Sequence, residues 1–286
     1  MALPTKQRFF KKLLLAIVED KEVWKAFFKR FSIDYSKEKT PEEICQQLID
    51  KLSSYGGYET RRRLVQAVPP KANHFVLDIG PEMGMESFLL AEVYDRVIVA
   101  EPDAVTADLL KKVAEYYHTE DGRKASAVLD VHRAGIFPAN SRFIKNFEGE
   151  KPTSLTEFDA TGAPDIGDSL GLGFADRVYC HHIVWVMPAK PKLSVMITAL
   201  SSYCREGGVI TWGDEIGELT VAAEEYANYK NYKLPGKSKT YTYGPWKVRW
   251  PIKETKRYIK ELLPGFSVGF RFLRKTGQIF VVAERC

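Results

Sequence analysis

Residues 74 to 117 alternate between two hydrophobic periods, and this alternation restricts the possible folds more than any other feature of the chain. His74 to Ile79 (HFVLDI) is a short, almost unbroken apolar run, which suits a strand covered on both faces. Met85 to Val93 has helical spacing, Arg96 to Ala100 (RVIVA) is a second strand, and Ala104 to Tyr117 is a second helix. Strand, helix, strand and helix at this pitch form βαβ units, hence an α/β fold with a parallel sheet and right-handed crossovers. Further strands are expected at Ser154 to Phe158, Arg177 to Cys180 and Gly208 to Trp212, with a helix near Lys192 to Cys204 between the last two. Phe266 to Leu273 and Gln278 to Glu284, joined across Arg274 to Gly277, read as a closing antiparallel hairpin. A chain of 286 residues, 45% of them apolar, can cover both faces of such a sheet.

Up to about residue 70 the pattern is helical instead. Between Phe9 and Phe31, Phe10, Leu13, Leu14, Ile17, Val18, Trp24, Phe27 and Phe28 recur at helical spacing, interleaved with lysines. Thr40-Pro41-Glu42-Glu43 marks a helix start, with Thr40 as cap, Pro41 at the first helical position and Glu43 completing a capping box. That helix is expected to reach Leu52 and to break over Ser53 to Gly57. The layout is then a helical extension or cap over 1–70 and an α/β domain over 71–286. Two stretches exceed a minimal domain: an irregular insertion over 119–152 and a polar segment over 215–251. The second carries Tyr226, Tyr229, Tyr232, Tyr241, Tyr243, Trp246 and Trp250, and long connections of this kind often serve as lids or binding loops.

Composition narrows the partners. No run of about 18 uncharged apolar residues exists, so a membrane span is not expected. Leu13 to Val18 is too short, and returns to charge too soon, for a signal peptide. Cys45, Cys180, Cys204 and Cys286 are widely spaced and form no CxxC pair, so neither a metal site nor a disulfide framework is expected and a reducing cytoplasm fits. A net charge of +5 permits an anionic substrate without requiring one, and no stable nucleic-acid partner is expected. The lysine-flanked first helix could cover a site, join a homodimer or lie on a membrane, but an apolar face like this more often packs into a core.

The chemistry begins at VLDIGPEMGMES, residues 76 to 87. A buried strand runs into Asp78-Ile79-Gly80, and Gly84 opens the next helix. Glycines let the backbone turn tightly and approach a ligand, and the helix N-terminus offers N–H groups. The second strand ends in Glu101-Pro102-Asp103, about twenty residues on, where an acid can accept both ribose hydroxyls. Taken singly, the glycines could form a plain turn and Glu101 could be a solvated carboxylate; together, inside a βαβ unit, they point to a nucleoside. The turn reads Gly80-Pro81-Glu82-Met83-Gly84 rather than GxGxxG, and Glu82 would repel a pyrophosphate laid on it. S-adenosylmethionine has no phosphate, and its ammonium tolerates a nearby carboxylate.

These residues resemble the class I S-adenosylmethionine-dependent methyltransferases, over roughly 73–213 and the closing hairpin. The resemblance implies a Rossmann-like seven-stranded sheet whose last strand is antiparallel. Asp78, Gly80 and Gly84 match the family's D-x-G-x-G-x-G, with Glu82 in place of the middle glycine. Glu101, beside Pro102, resembles the acidic ribose ligand, and Phe158-Asp159-Ala160 resembles the segment whose acid meets the adenine amino group. The stretch Ala175 to Val186 resembles the fourth motif, whose strand end at Cys180 would border the cofactor. GGVITWGDE, residues 207–215, resembles the strand that follows.

Methyl transfer from a sulfonium is an in-line displacement, and alignment of the reacting atoms is worth about 7–11 kcal/mol. An O–H or N–H acceptor also needs a base, a task that suits histidine near neutral pH. His181 and His182, just past the fourth-motif strand, are the candidates, although each could instead bond loop backbone. Asp214 and Glu215 follow the next strand and could serve as a base or cation partner, or form a solvated loop pair. The expected activity is methyl transfer to a small-molecule acceptor. The alternatives are an RNA or protein acceptor, a nicotinamide-dependent oxidoreductase, or a binding protein of the same fold without turnover.

Overall fold

The computed structural model describes residues 3–30, 32–36, 39–53, 57–71, 73–81, 84–136, 163–181, 192–215, 252–273 and 278–286. They fall into two compact units, Met1–Gly135 and Ile136–Cys286.

The first unit contains α1 (Lys6–Val18), α2 (Lys21–Arg30), α3 (Pro41–Ser53), α4 (Gly57–Gln66), β1 (Val76–Ile79), α5 (Met85–Ala91), β2 (Val97–Ala100), α6 (Ala104–Tyr116) and β3 (Leu129–His132). The helical spacing from Phe9 to Phe31 is divided between two helices, α1 and α2. Asp20 Oδ1 accepts from the N–H groups of Glu22 (2.8 Å) and Val23 (3.2 Å), so a short acid starts α2 where apolar spacing alone reads continuity. At α3 the capping box is reciprocal: Thr40 N–H donates to Glu43 (2.7 Å) and Glu43 N–H to the Thr40 hydroxyl (3.2 Å). Phe9 and Phe10 of α1 are fully buried, and Phe9 lies 5.3 Å from the Tyr58 ring and 6.1 Å from Tyr117. The apolar face of α1 is therefore core.

Beside that aromatic cluster sits a buried ion pair. Lys12 Nζ is 2.6 Å from Glu92, whose carboxylate is 0% exposed. Glu92 also accepts from the Tyr117 hydroxyl (2.7 Å) and from Glu120 N–H (2.7 Å). Burial and the Glu92 charge push the Tyr117 phenol far above its ordinary value, so it remains a donor.

The region 119–152 is not irregular throughout. Leu129–His132 is β3, parallel to β2 in the register Val97↔Leu129 to Ala100↔His132. β3 is an edge strand; Leu129 and Val131 are buried and Asp130 is exposed, and so brief an alternation gives little apolar signal.

The second unit contains α7 (Ile166–Leu170), β4 (Ala175–His181), α8 (Lys192–Tyr203), β5 (Cys204–Glu215), α9 (Ile252–Leu262), β6 (Phe266–Leu273) and β7 (Gln278–Arg285). β5 runs parallel to β4, and β7 runs antiparallel to both β5 and β6. Asp165 caps α7 through Gly167 N–H (2.6 Å) and also accepts from the Tyr203 hydroxyl (2.7 Å), which ties α7 to the end of α8. The seven strands are ordered β3-β2-β1 in the first unit and β4-β5-β7-β6 in the second. The strand expected at Ser154 to Phe158, and residues 216–251 of the expected lid, lie outside the described residues. Among the described residues, no helix is long and apolar enough to cross a membrane.

Candidate functional site

The first unit brings together Asp78, Gly80, Gly84, Glu101 and Pro102. β1 ends at Ile79, and Gly80 leaves it at φ 61°, its N–H still bonded to the Ala100 carbonyl at 2.9 Å. Gly84 closes the turn with its N–H on the Pro81 carbonyl (2.9 Å) and caps α5 in the left-handed region, φ 75°. A Cβ at Gly84 would stand 2.2 Å from Leu110 Cδ2 of α6, so both conformation and space require glycine here.

Acidic groups surround this turn. Asp78, second to last in β1, is buried and accepts a 2.6 Å bond from the Ser87 hydroxyl of α5. Burial, then the nearby charges of Glu86 and Glu101, push the Asp78 carboxyl up to about 8, opposed by the Ser87 bond and by Arg61. Glu86, in the first turn of α5, is buried and forms a 2.7 Å ion pair with Arg61 of α4. Glu101 is 1% exposed, which excludes a solvated carboxylate. Its backbone is held on both sides, N–H to the His132 carbonyl (3.1 Å) and carbonyl to Ala134 N–H (3.2 Å). Its side chain accepts from Asp103 N–H (2.9 Å), and Asp103 in turn caps α6 through Thr106. Pro102, between these two acids, is half-buried.

In the second unit, Cys180 and His181 close β4 and are buried. His181 pairs in register with Gly213 of β5, and a Cβ at 213 would come within 2.9 Å of the imidazole and of Phe280. The missing side chain makes room for both rings. Glu82, Asp159, Ala160 and His182 lie outside the described residues. Sequence reasoning did not single out Ser87, Glu86, Asp103 or Arg61. The first three adjoin the motif and could have been found as polar residues beside it; Arg61 carries no local signal. Among the described residues, no group of three His, Cys, Asp or Glu side chains is placed to hold a metal ion.

No family model matches the sequence, and neither does any curated protein. Similar solved structures exist. Magnesium protoporphyrin IX methyltransferase from Synechocystis, with bound S-adenosylhomocysteine, is 13% identical at a TM-score of 0.45, covering 96% of this chain and 100% of that one. A SAM-dependent methyltransferase from Aquifex aeolicus is 12% identical at 0.42, covering 79% and 89%. A possible exported protein from Bordetella parapertussis is 11% identical at 0.47, covering 96% and 86%. The sheet, with β7 antiparallel between β5 and β6, has the character that the sequence resemblance implies. The fold is methyltransferase-like.

Proposed function

We propose that the chain is an S-adenosylmethionine-dependent methyltransferase acting on a small-molecule acceptor in the cytoplasm, with 71–286 as the catalytic domain and 1–70 as its helical cap. The observation that carries this reading is the ring of buried carboxylates, Asp78, Glu86 and Glu101, around the Gly80–Gly84 turn. A dinucleotide would rest its pyrophosphate on that turn, against the charges of Glu86 and Glu101 in a poorly solvated place. An aminoacyl nucleoside offers an ammonium and two ribose hydroxyls instead, which suit buried acceptors. When bound, S-adenosylmethionine supplies a methyl group on a sulfonium. Glu101 would accept the ribose hydroxyls, Asp78 would hold the amino-acid end, Gly80 and Gly84 would let the backbone come close, and Asp159-Ala160 would hold the adenine. His181 or His182 would take the proton of an O–H or N–H acceptor and leave the acceptor's lone pair free.

Calorimetric titration of the folded protein with S-adenosylhomocysteine tests the reading; absence of binding overturns it. Glu101→Ala should weaken that binding by about 1.5–3 kcal/mol, the worth of a charged hydrogen bond. A wild-type affinity in this variant would remove Glu101 from the site.

The pH dependence has a definite sign. In the free protein Asp78 keeps its proton up to about 8, whereas an unfolded aspartate loses it near the ordinary value. The free protein therefore binds the extra proton, and its folding stability falls with rising pH across that window. A ligand ammonium favours the ionised form, so affinity should climb by at most about tenfold per unit up to about 8, then level off. An affinity that falls over that range would show that Asp78 does not face a cation.

A further inference from the structure

α4 belongs to the helical segment that precedes the α/β part of the chain, yet its Arg61 reaches the nucleotide turn. The guanidinium and its partner Glu86 are 7% and 3% exposed and 2.7 Å apart. Glu86 sits two residues past Gly84, in the first turn of the helix whose N-terminus borders the turn, and Ser87 beside it holds Asp78. We propose that Arg61 is a positioning residue for the cofactor cradle, orienting the first turn of α5 through Glu86. The proposal rests on the methyltransferase reading for its consequence, and on the buried Arg61–Glu86 pair and the Ser87–Asp78 bond for the coupling.

The charged and polar groups that face Asp78 are Glu86 and Ser87 of α5, Glu101 at the end of β2, and Arg61 of α4. Glu86 and Glu101 oppose ionisation of Asp78, while Ser87 and Arg61 favour it. Arg61 does so directly, and its ion pair with Glu86 also holds the stronger of the two opposing charges beside α4. A guanidinium suits this place because it stays charged when buried. The helical segment would thereby be part of the cofactor site without touching the cofactor.

The experiment has two arms. The first is ligand-free: titration of the Asp78 side-chain carboxyl by carbon NMR in the wild type, Arg61→Met, Glu86→Gln and the double variant. Arg61→Met should raise the midpoint and Glu86→Gln should lower it, each by about one unit, the low end of a neighbouring charge's effect. Opposite signs are not what a merely structural pair would give. Unchanged midpoints in the folded variants overturn the proposal, and if Arg61→Met does not fold, Glu86→Gln and the double variant decide it. The second arm is S-adenosylhomocysteine affinity at neutral pH. It should drop about tenfold in Arg61→Met, following the ionised fraction of Asp78, and recover in Arg61→Lys. If the midpoints move but affinity does not follow them, the positioning role is overturned. If the wild type binds no S-adenosylhomocysteine while the midpoints still move, the methyltransferase reading fails and the coupling of Arg61 to Asp78 stands.

Discussion

Gly84→Ala should destabilise the protein by about 2–4 kcal/mol, combining the strain of a left-handed alanine with overpacking of a filled core. The added methyl would meet Leu110 Cδ2 at 2.2 Å and Phe88 Cε2 at 3.1 Å. Leu110 and Phe88 are both buried, so neither side chain has open space to retreat into. A rotamer change at Leu110 would press on the other residues of the inner face of α6, including Ala107 and Val113. The clash and the strain separate in a double-mutant cycle. Shortening Leu110 in Leu110→Ala leaves a cavity that the alanine methyl partly fills, so Gly84→Ala should cost less in that background. The strain at φ 75° remains in both backgrounds. Urea midpoints of the four proteins measure both contributions, and equal costs with and without Leu110 would show that the contact is not limiting. S-adenosylhomocysteine binding should weaken with the same variant, because the residue that caps α5 also shapes the cradle.

Lys12→Met should cost about 3 kcal/mol, the low end of breaking a buried ion pair. The low end applies because Lys12 keeps 18% exposure and Glu92, left behind, still accepts from the Tyr117 hydroxyl and Glu120 N–H. Even so, an ionised carboxylate with no exposure would have lost its nearest cation. Adding Glu92→Gln should recover part of the loss, since the amide oxygen can keep the Tyr117 bond without the charge. Arg8, which pairs with Glu120 at 2.7 Å but is 65% exposed, makes the control: Arg8→Ala should cost about 0–1 kcal/mol. Chemical denaturation of the three variants tests this, and a Lys12→Met loss no greater than that of Arg8→Ala would mean that water reaches Glu92.

Much of the α/β pattern could be read directly from the sequence. Continuous apolar runs marked β1 and β2, the glycine turn lay between them, and the closing hairpin emerged with β6 at its expected bounds. The break between α1 and α2 was hidden because Asp20 interrupts a helical spacing that continues on either side of it. β3 was hidden because an edge strand of four residues alternates too briefly to stand out. Glu82, whose charge the motif offered, lies outside the described residues; the buried acids beside the turn are Asp78, Glu86 and Glu101.

The amino-acid order alone determined where the backbone must turn and which stretches need two covered faces. These properties depend on neighbours within a few residues, through local φ preferences and the period of apolar side chains. The fold decided which charges meet. Lys12 and Glu92 are 80 positions apart, and Arg61 finds Glu86 across the turn that precedes α5. Neither partner's surroundings in sequence differ from those of an ordinary solvated residue. The proton on Asp78 belongs to the same class, because electrostatic energy falls with distance in space and rises with the removal of water, and both are set only when the helices close over the strand.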